Sequence, residues 1–576
     1  MNGFLILIIA AVVLIGAYLI YGRYLVKTWG INPDAKTPAY EFRDGVDYEP
    51  ADRMVVFGHQ FASIAGAGPI NGPIQAAVFG WVPVMLWILV GGVFFGAVQD
   101  FSSMYASVKN KGRTIGYLIE EYIGKTGKKL FLMFCWLFCI LVVAAFADVV
   151  DKTFMGFDAA GNTYAANCSV ALTSLLFIVE AVGLGFFLKY SKFNKWVNTA
   201  IAIGLLVIAV AIGVAFPVLS LSVGTWQIIV FIYIFIASVL PVWMLLQPRD
   251  YLNSYLLIFM IAAAVVGIVV AQPSVNLPAF TSFYVEGTGS MFPILFVTIA
   301  CGAVSGFHSL VASGTASKQI KNEKDMLPVS FGAMLMESAL AIIALIAVAS
   351  FATGEAASLG YTTPAQIFSG AVSNFLAQMG LPQSMMFTIV NLAISAFALT
   401  SLDSVARIGR LSFQEFFLDE SITDENMEPW RKVATNKYFA TILTLALSFM
   451  LAKAGYASIW PLFGSANQLL SALALIAVAV FLKKTKRKGF MLWAPMCIML
   501  AVTFTALVMK ITELFSALGS AAHPWVAGLT FIPAGATAAT LTSWGCLLQL
   551  VFAVILLALG VIVAIQGIRK LTEKDA

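Results

Sequence analysis

Glu337, Glu180, Asp100 and Asp403 fall inside apolar runs of the chain, and His308 and His59 fall at glycine-rich interruptions of such runs. A charge at the bilayer centre costs on the order of 3 kcal/mol or more, so each ionisable group at that depth is a functional candidate by default. Glu337 sits in the middle of Val329 to Ser350 with no cation within one helical turn. Such a carboxyl is either protonated or paired with a group on another helix, which is what a proton-coupling site needs; a structural hydrogen bond is the competing reading. Glu180, about two turns from the end of Val170 to Leu188, could stay hydrated through a cavity. Asp100, next to Gln99, closes its helix and reaches either a polar mouth or interfacial water. Asp403 has Arg407 four residues on, the spacing at which side chains meet on one helix face, so a local ion pair accounts for it. His308 can accept a proton near neutral pH or hold a substrate carboxylate. His59 reads as an interfacial anchor, and His523, before Pro524, carries no signal. Three scattered histidines without HExxH spacing imply neither a metal site nor catalytic residues.

The interruptions are of one kind. Gly58 to Pro73 places glycines at 58, 66, 68 and 72 and prolines at 69 and 73 in an apolar stretch. Each proline removes an amide donor and clashes with the preceding turn, and glycine favours unwound backbone. Ile299 to Thr315 holds Gly302, Gly306 and Gly314 among hydroxyls and His308. In hydrocarbon, freed backbone is tolerated only where protein buries it or a cavity is lined by it. Gly66, Ala67, Gly68 and Asn71 from the first break, with Ser305, Gly306, His308 and Ser309 from the second, are therefore the candidate substrate-binding residues. Ser63, Gln75, Ser313, Asn467 and Gln468 could add ligands for a carboxylate or a sodium ion, or only satisfy one another across helices.

These segments need membrane helices to carry them. Hydrophobic residues make up 60% of the 576 and charged ones 11%, with mean hydropathy +0.91, which excludes a water-soluble core of this length. Apolar runs near 3–22, 58–80, 82–106, 128–150, 168–188, 196–216, 225–246, 254–271, 291–316, 328–350, 386–410, 437–452, 458–482, 490–510 and 543–568 predict an all-α polytopic membrane protein of about 15 spans. With that assignment, all of the 34 lysines and arginines except Lys152, Lys453 and Lys510 lie on one side. Positive loops stay in the cytoplasm, so the N-terminus is expected outside and the C-terminus inside. The run 3–22 lacks a basic leader and a cleavage site and reads as a retained helix. The net charge of +5 follows from these loops and gives no reason to expect nucleic acid. Six cysteines without CxxC spacing imply no disulfide framework.

The charge assignment makes the two broken spans antiparallel. Each opens a series of about seven spans, 58–271 and 291–568, and an odd-numbered unit repeated in tandem is inverted in the membrane. The remaining parts are the helix 1–22, a cytoplasmic loop 23–57 and a cytoplasmic tail 569–576. The long outer connections 351–385 and 511–542 are expected to form surface helices or a lid.

Val56 to Pro69, Gly72-Pro73 and Gly96-Ala-Val-Gln-Asp100 closely resemble the carbon starvation CstA family, as do Ala300 to Gly314, Ser317-Lys318-Gln319 and Ala457 to Leu470. The resemblance implies bacterial cytoplasmic-membrane permeases of the amino acid-polyamine-organocation superfamily, with a LeuT-like inverted-repeat fold and two discontinuous helices. It also implies uptake of peptides or pyruvate during carbon limitation. The spacing between the breaks departs from a plain five-plus-five repeat. The expectation is a secondary transporter importing a small carboxylate-bearing molecule with proton coupling, sodium being the other candidate ion, and with no cofactor. Lipid is its surrounding, and its oligomeric state is open. A channel would favour rings of like residues, whereas the two breaks differ. A sensor or enzyme would need a signalling or catalytic domain, and the cytoplasmic loop 410–437 is too short for one.

Overall fold

The computed structural model describes every residue except 1, 45–47, 158–160, 162, 192, 241–244, 362, 419–427, 520–542 and 574–576. The described residues are overwhelmingly helical. The first half holds α1 (Gly3–Trp29), α2 (Arg53–Ile64), α3 (Gly68–Ala76), α4 (Trp81–Lys109), α5 (Lys125–Phe154), α6 (Ala165–Tyr190), α7 (Lys195–Ala215), α8 (Val223–Val239) and α9 (Leu246–Ala271). A two-residue β-pairing, Tyr284–Val285 with Gly289–Ser290, precedes the second half. There follow α10 (Met291–Thr298), α11 (Gly306–Gly314), α12 (Glu323–Ala349), α13 (Pro364–Ala377) and α14 (Gln383–Phe417). The chain closes with α15 (Lys437–Ala452), α16 (Tyr456–Lys484), α17 (Trp493–Gly519) and α18 (Ser543–Thr572). Ten helices among the described residues are long and apolar enough to cross a membrane.

Burial separates an inner group from an outer one. The apolar window of α16 is 100% buried and those of α5 and α14 are 89%, whereas α1 and α7 reach only 28%. The inner helices are apolar all round and hold Ser, Thr, Asn and Gln that bond within the protein. The outer ones present Leu, Ile and Val to the surroundings, as a lipid-facing helix does.

Both expected breaks are real. The first falls at Ala65 to Ala67, where Ala65 leaves the helical region at ψ 56°. Asp52 starts α2 by accepting the Met54 amide, and Pro69 sits in the first turn of α3, where a missing donor costs little. The second break runs from Ile299 to Ser305, between α10 and α11. The two pairs of half-helices lie antiparallel. His59 Nε2 is 3.2 Å from Thr315 Oγ1, joining the start of one pair to the end of the other. At the far end Trp81 N donates to Pro278 O at 3.2 Å, and Thr281 N donates to Phe79 O at 3.1 Å. The breaks touch where they cross: a Cβ on Gly68 would collide with Cys301 Sγ, and one on Gly72 would lie 2.7 Å from Thr298 O.

Several expectations change. The first helix runs on to Trp29 and α2 begins at Arg53, so the expected loop 23–57 is helical at both ends. Pro73 does not break the backbone; it lies inside α3, where only its own amide bond is forfeited. Within 351–385, Glu355–Ser358 is a short surface helix as expected, but α13 is neither a surface helix nor a lid: it starts on a capping box of Thr363 and Gln366 and is buried on almost every side against α3, α9, α12 and α14. The outer connection 511–542 lies largely outside the described residues, as does His523.

Candidate functional site

Asp100, His308 and Glu337 form a line at the centre of the fold. His308 projects from the second residue after the start of α11, Asp100 from α4 and Glu337 from α12. His308 Nδ1 is 3.1 Å from Asp100 Oδ2, and His308 Nε2 is 3.2 Å from Glu337 Oε2. All three are fully buried. The Nδ1 contact has hydrogen-bond geometry. On the other side Nε2 and Glu337 are close but not aligned, so neither Glu337 oxygen has a hydrogen-bond partner among the described residues. One imidazole between two carboxyl groups, with no lysine or arginine in the line, is an arrangement with the chemistry to hold and exchange protons.

The freed backbone of the second break is met by side chains from three other helices. Gln99 Nε2 donates to Ser305 O at 2.7 Å and its carbonyl accepts from Ser471. Ser338 Oγ donates to Gly302 O at 3.1 Å, Trp460 Nε1 to Thr298 O at 3.2 Å and Gln468 Nε2 to Phe296 O at 2.7 Å. Asn467 caps α11 from outside: its Oδ1 accepts from Phe307 N at 3.1 Å, and its Nδ2 donates to Ser305 Oγ at 3.0 Å. Ser305, the residue at the N-cap position, does not cap its own helix. These bonds let irregular backbone exist at membrane depth.

A cleft opens between the breaks, lined by Ser63, Gly66, Gly68, Ser305, His308 and Asn467 on one side and by Phe138, Phe146, Ser401 and Phe463 on another. Its volume of about 20 Å³ has room for one or two waters. The N-termini of α3 and α11 both border it, and their amides are positive ends of helix dipoles. The cleft lining contains no lysine or arginine.

Of the expected site residues, the structure brings Gly66, Gly68, Ser305 and His308 into the cleft and Asp100 and Glu337 onto His308. Ala67 is buried in the first break, and Gly306 is wedged against Asn467 and Leu470. Ser309 Oγ turns back to Gly306 O at 2.6 Å. Asn71 is buried in α3, away from the cleft lining, with both amide atoms lacking a partner among the described residues. Glu180 is half-buried on α6, apart from the line of three. Asp403 does not pair with Arg407. It binds Arg249 of α9 and accepts from Tyr233 at 2.8 Å, while Arg407 reaches Ala237 O and Leu240 O at 2.9 Å, at the end of α8. Helical spacing allowed the local pair; the unsatisfied carbonyls of a neighbouring helix end drew Arg407 away.

Sequence reasoning named Asn467 and Gln468 only as polar residues at a break and gave no role to Ser338, Ser401, Ser471 or the ring cluster. In that cluster Phe146 lies 5.7 Å from Phe463, and Phe463 5.1 Å from Trp460. An apolar ring inside a span carries no signal that separates a site wall from ordinary packing.

Residues 2–360 and 350–506 match the family described as carbon starvation protein CstA. A protein named peptide transporter CstA from Escherichia coli is 32% identical over 88% of this chain and 80% of its own length. One with the same name from Bacillus subtilis is 33% identical, over 85% of this chain and 86% of its own. The protein named pyruvate/proton symporter BtsT from Escherichia coli is 32% identical over 86% and 80%. Among solved structures, a manganese transporter of Eremococcus coleocola aligns with 90% of this chain and 95% of its own at TM-score 0.47 and 11% identity, too distant to carry residue roles across.

Proposed function

The chain belongs to the carbon starvation protein CstA family and is a multi-pass bacterial inner-membrane transporter, not an enzyme, and from this we propose that it imports a small carboxylate-bearing nutrient, peptide or pyruvate, together with protons during carbon starvation. The observation that carries the reading is the buried line Asp100, His308, Glu337 beside a cleft between two broken helices. Two acids share one base there, so the group can take up a proton without leaving an unmatched cation. The cargo carboxylate sits on the free amides at the N-termini of α3 and α11, with Ser305, Asn467 and His308 at its flanks. Its apolar part meets Phe138, Phe146 and Phe463. Proton and anion occupy neighbouring places, so each favours the other's binding by attraction across a short, poorly screened distance.

On this reading the ten long helices, the three shorter apolar ones and the two interrupted pairs correspond to the fifteen crossings expected from the sequence. The units 58–271 and 291–568 are inverted repeats, and the N-terminus lies outside with the basic loops inside. Alternating access consists of one bundle rocking about the crossed breaks. Purified protein in liposomes tests the reading: uptake of labelled pyruvate, and separately of labelled dialanine, should rise with an inward proton gradient and not with a sodium gradient. Uptake driven by sodium alone, or indifferent to both gradients, would overturn proton coupling.

A further inference from the structure

The polar character of the site does not stop at His308. Along α4, Ser103 and Ser107 follow Asp100 at one and two turns and share its face. Opposite them, Ser309, Ser313 and Ser317 step at four-residue intervals through α11 and the turn after it. All five serines are fully buried. The two rows meet: Ser107 Oγ is 2.8 Å from Ser317 Oγ and 3.0 Å from Ser313 O. The seam ends at Lys109, whose Nζ is 2.5 Å from Glu323 Oε1, and at Arg113, whose carbonyl lies 2.7 Å from Ser107 Oγ. In the other direction along α4, Val93 to Val98 is apolar; Val93, Phe95, Ala97 and Val98 are buried, Phe94 faces outward, and Gly96 packs on Ala303 and Met334.

Serine in a membrane helix commonly spends its hydroxyl on the carbonyl one turn back, and Ser309, Ser313 and Ser317 do so. Ser103 does not. Its Oγ and Asp100 Oδ1 are buried atoms with no hydrogen-bond partner among the described residues, and Ser103 lies between two residues that both touch the α11 side. Dispersion alone would favour alanine at such a position, because an unpaired buried hydroxyl costs about 1–3 kcal/mol. We propose that the seam between α4 and α11 is the route by which the coupled proton leaves the Asp100–His308–Glu337 line toward the basic-loop face, with Ser103 and Ser107 as its relay positions. The inference rests on the proton-coupled reading above.

The transfer balances at each step. The line gives up one proton to a hydroxyl oxygen, and that hydroxyl passes its own proton onward, so every serine is neutral before and after. Successive positions on α4 are about one turn, 5.4 Å, apart, a gap that one water bridges. At the end the proton passes to bulk water beside Lys109 and Glu323, whose charges cancel and so set up no barrier to a cation.

The test uses the full chain in liposomes with labelled pyruvate and labelled dialanine as probes. Ser103→Ala, Ser107→Ala and the double variant are compared in two assays: net uptake driven by a proton gradient, and exchange of labelled for unlabelled cargo at equal pH, which needs no deprotonation. The seam predicts that the double variant loses about tenfold or more in net uptake while exchange keeps its rate, and that Ser103→Thr, which retains the hydroxyl, recovers most of the loss. Normal net uptake in the double variant would overturn the relay and leave coupling intact. Equal loss in both assays, unrescued by threonine, would make the serines packing residues. If the unaltered protein shows no proton dependence, coupling itself fails and the relay with it.

Discussion

Two groups of buried charge lie among these helices, and they are built on opposite balances. Asp100, His308 and Glu337 set two acids against one base that can be neutral. Asp403, Arg249 and Tyr233 set one acid against a guanidinium that keeps its proton at any working pH. The acids, His308 and Arg249 are all buried, Tyr233 is partly exposed, and both groups join helices far apart in sequence. In the second, one carboxylate balances one guanidinium, so this pair needs no proton to be neutral. The first reaches neutrality only by protonation, which is what the proposed coupling requires of it. Burial selects neither role; the stoichiometry of acid and base does.

That contrast is most exposed to Glu337→Gln. Exchange of labelled for unlabelled cargo at equal pH should survive, since glutamine keeps the shape, whereas uptake driven by a proton gradient should fall by about a hundredfold. A variant that still concentrates cargo with the gradient would remove Glu337 from coupling. Next in size is Gly306→Ala. The added methyl meets backbone at Asn467 and Ser471, which cannot yield as a flexible side chain would. Loss of both exchange and net uptake, at normal expression, is expected, by about tenfold or more, and normal exchange would show that the α11 start is not fixed against α16.

Asp403→Asn should act through stability instead. Leaving Arg249 without its carboxylate costs about 3–5 kcal/mol when a buried pair is broken, read as a lower melting temperature in detergent. The ratio of protons to cargo in the surviving protein should not move; a changed ratio would put Asp403 in the coupling path. The smallest effect belongs to Glu180→Gln. Glu180 is half-buried on an outer helix and remote from the line of three, so uptake and coupling should stay within about twofold, and complete loss of coupling would demand a second proton site. Together the four variants separate a titrating cluster from a fixed one.

Much of this arrangement was legible in the chain. Glycine clustering located both breaks, with proline beside it at the first, because glycine eases unwound and closely packed backbone, and apolar run length located the helices because hydrocarbon sets a minimum span. Glu337 was legible as a lone acid without a local cation. Its partners were not, since Asp100 and His308 are 208 positions apart and no local spacing rule reaches that far. The Asp403–Arg407 pair shows the converse error: the i, i+4 rule describes what an isolated helix allows, and here Arg249 and the end of α8 competed for the two charges. Burial of α13 was hidden by its composition. Its Ser369, Gly370 and Ser373 look like a solvent-exposed loop in sequence and act as close-packing residues in the fold.

The sequence by itself determined the solvent, the helices and the two places where the backbone must come apart, because those follow from transfer energies and from torsional limits that act within a few residues. Only the tertiary structure decided which acid faces which base, which side chains satisfy the opened carbonyls and which serines line one seam. Those depend on helices meeting in space, and the energies involved are short-ranged contacts between segments that no periodicity along the chain connects.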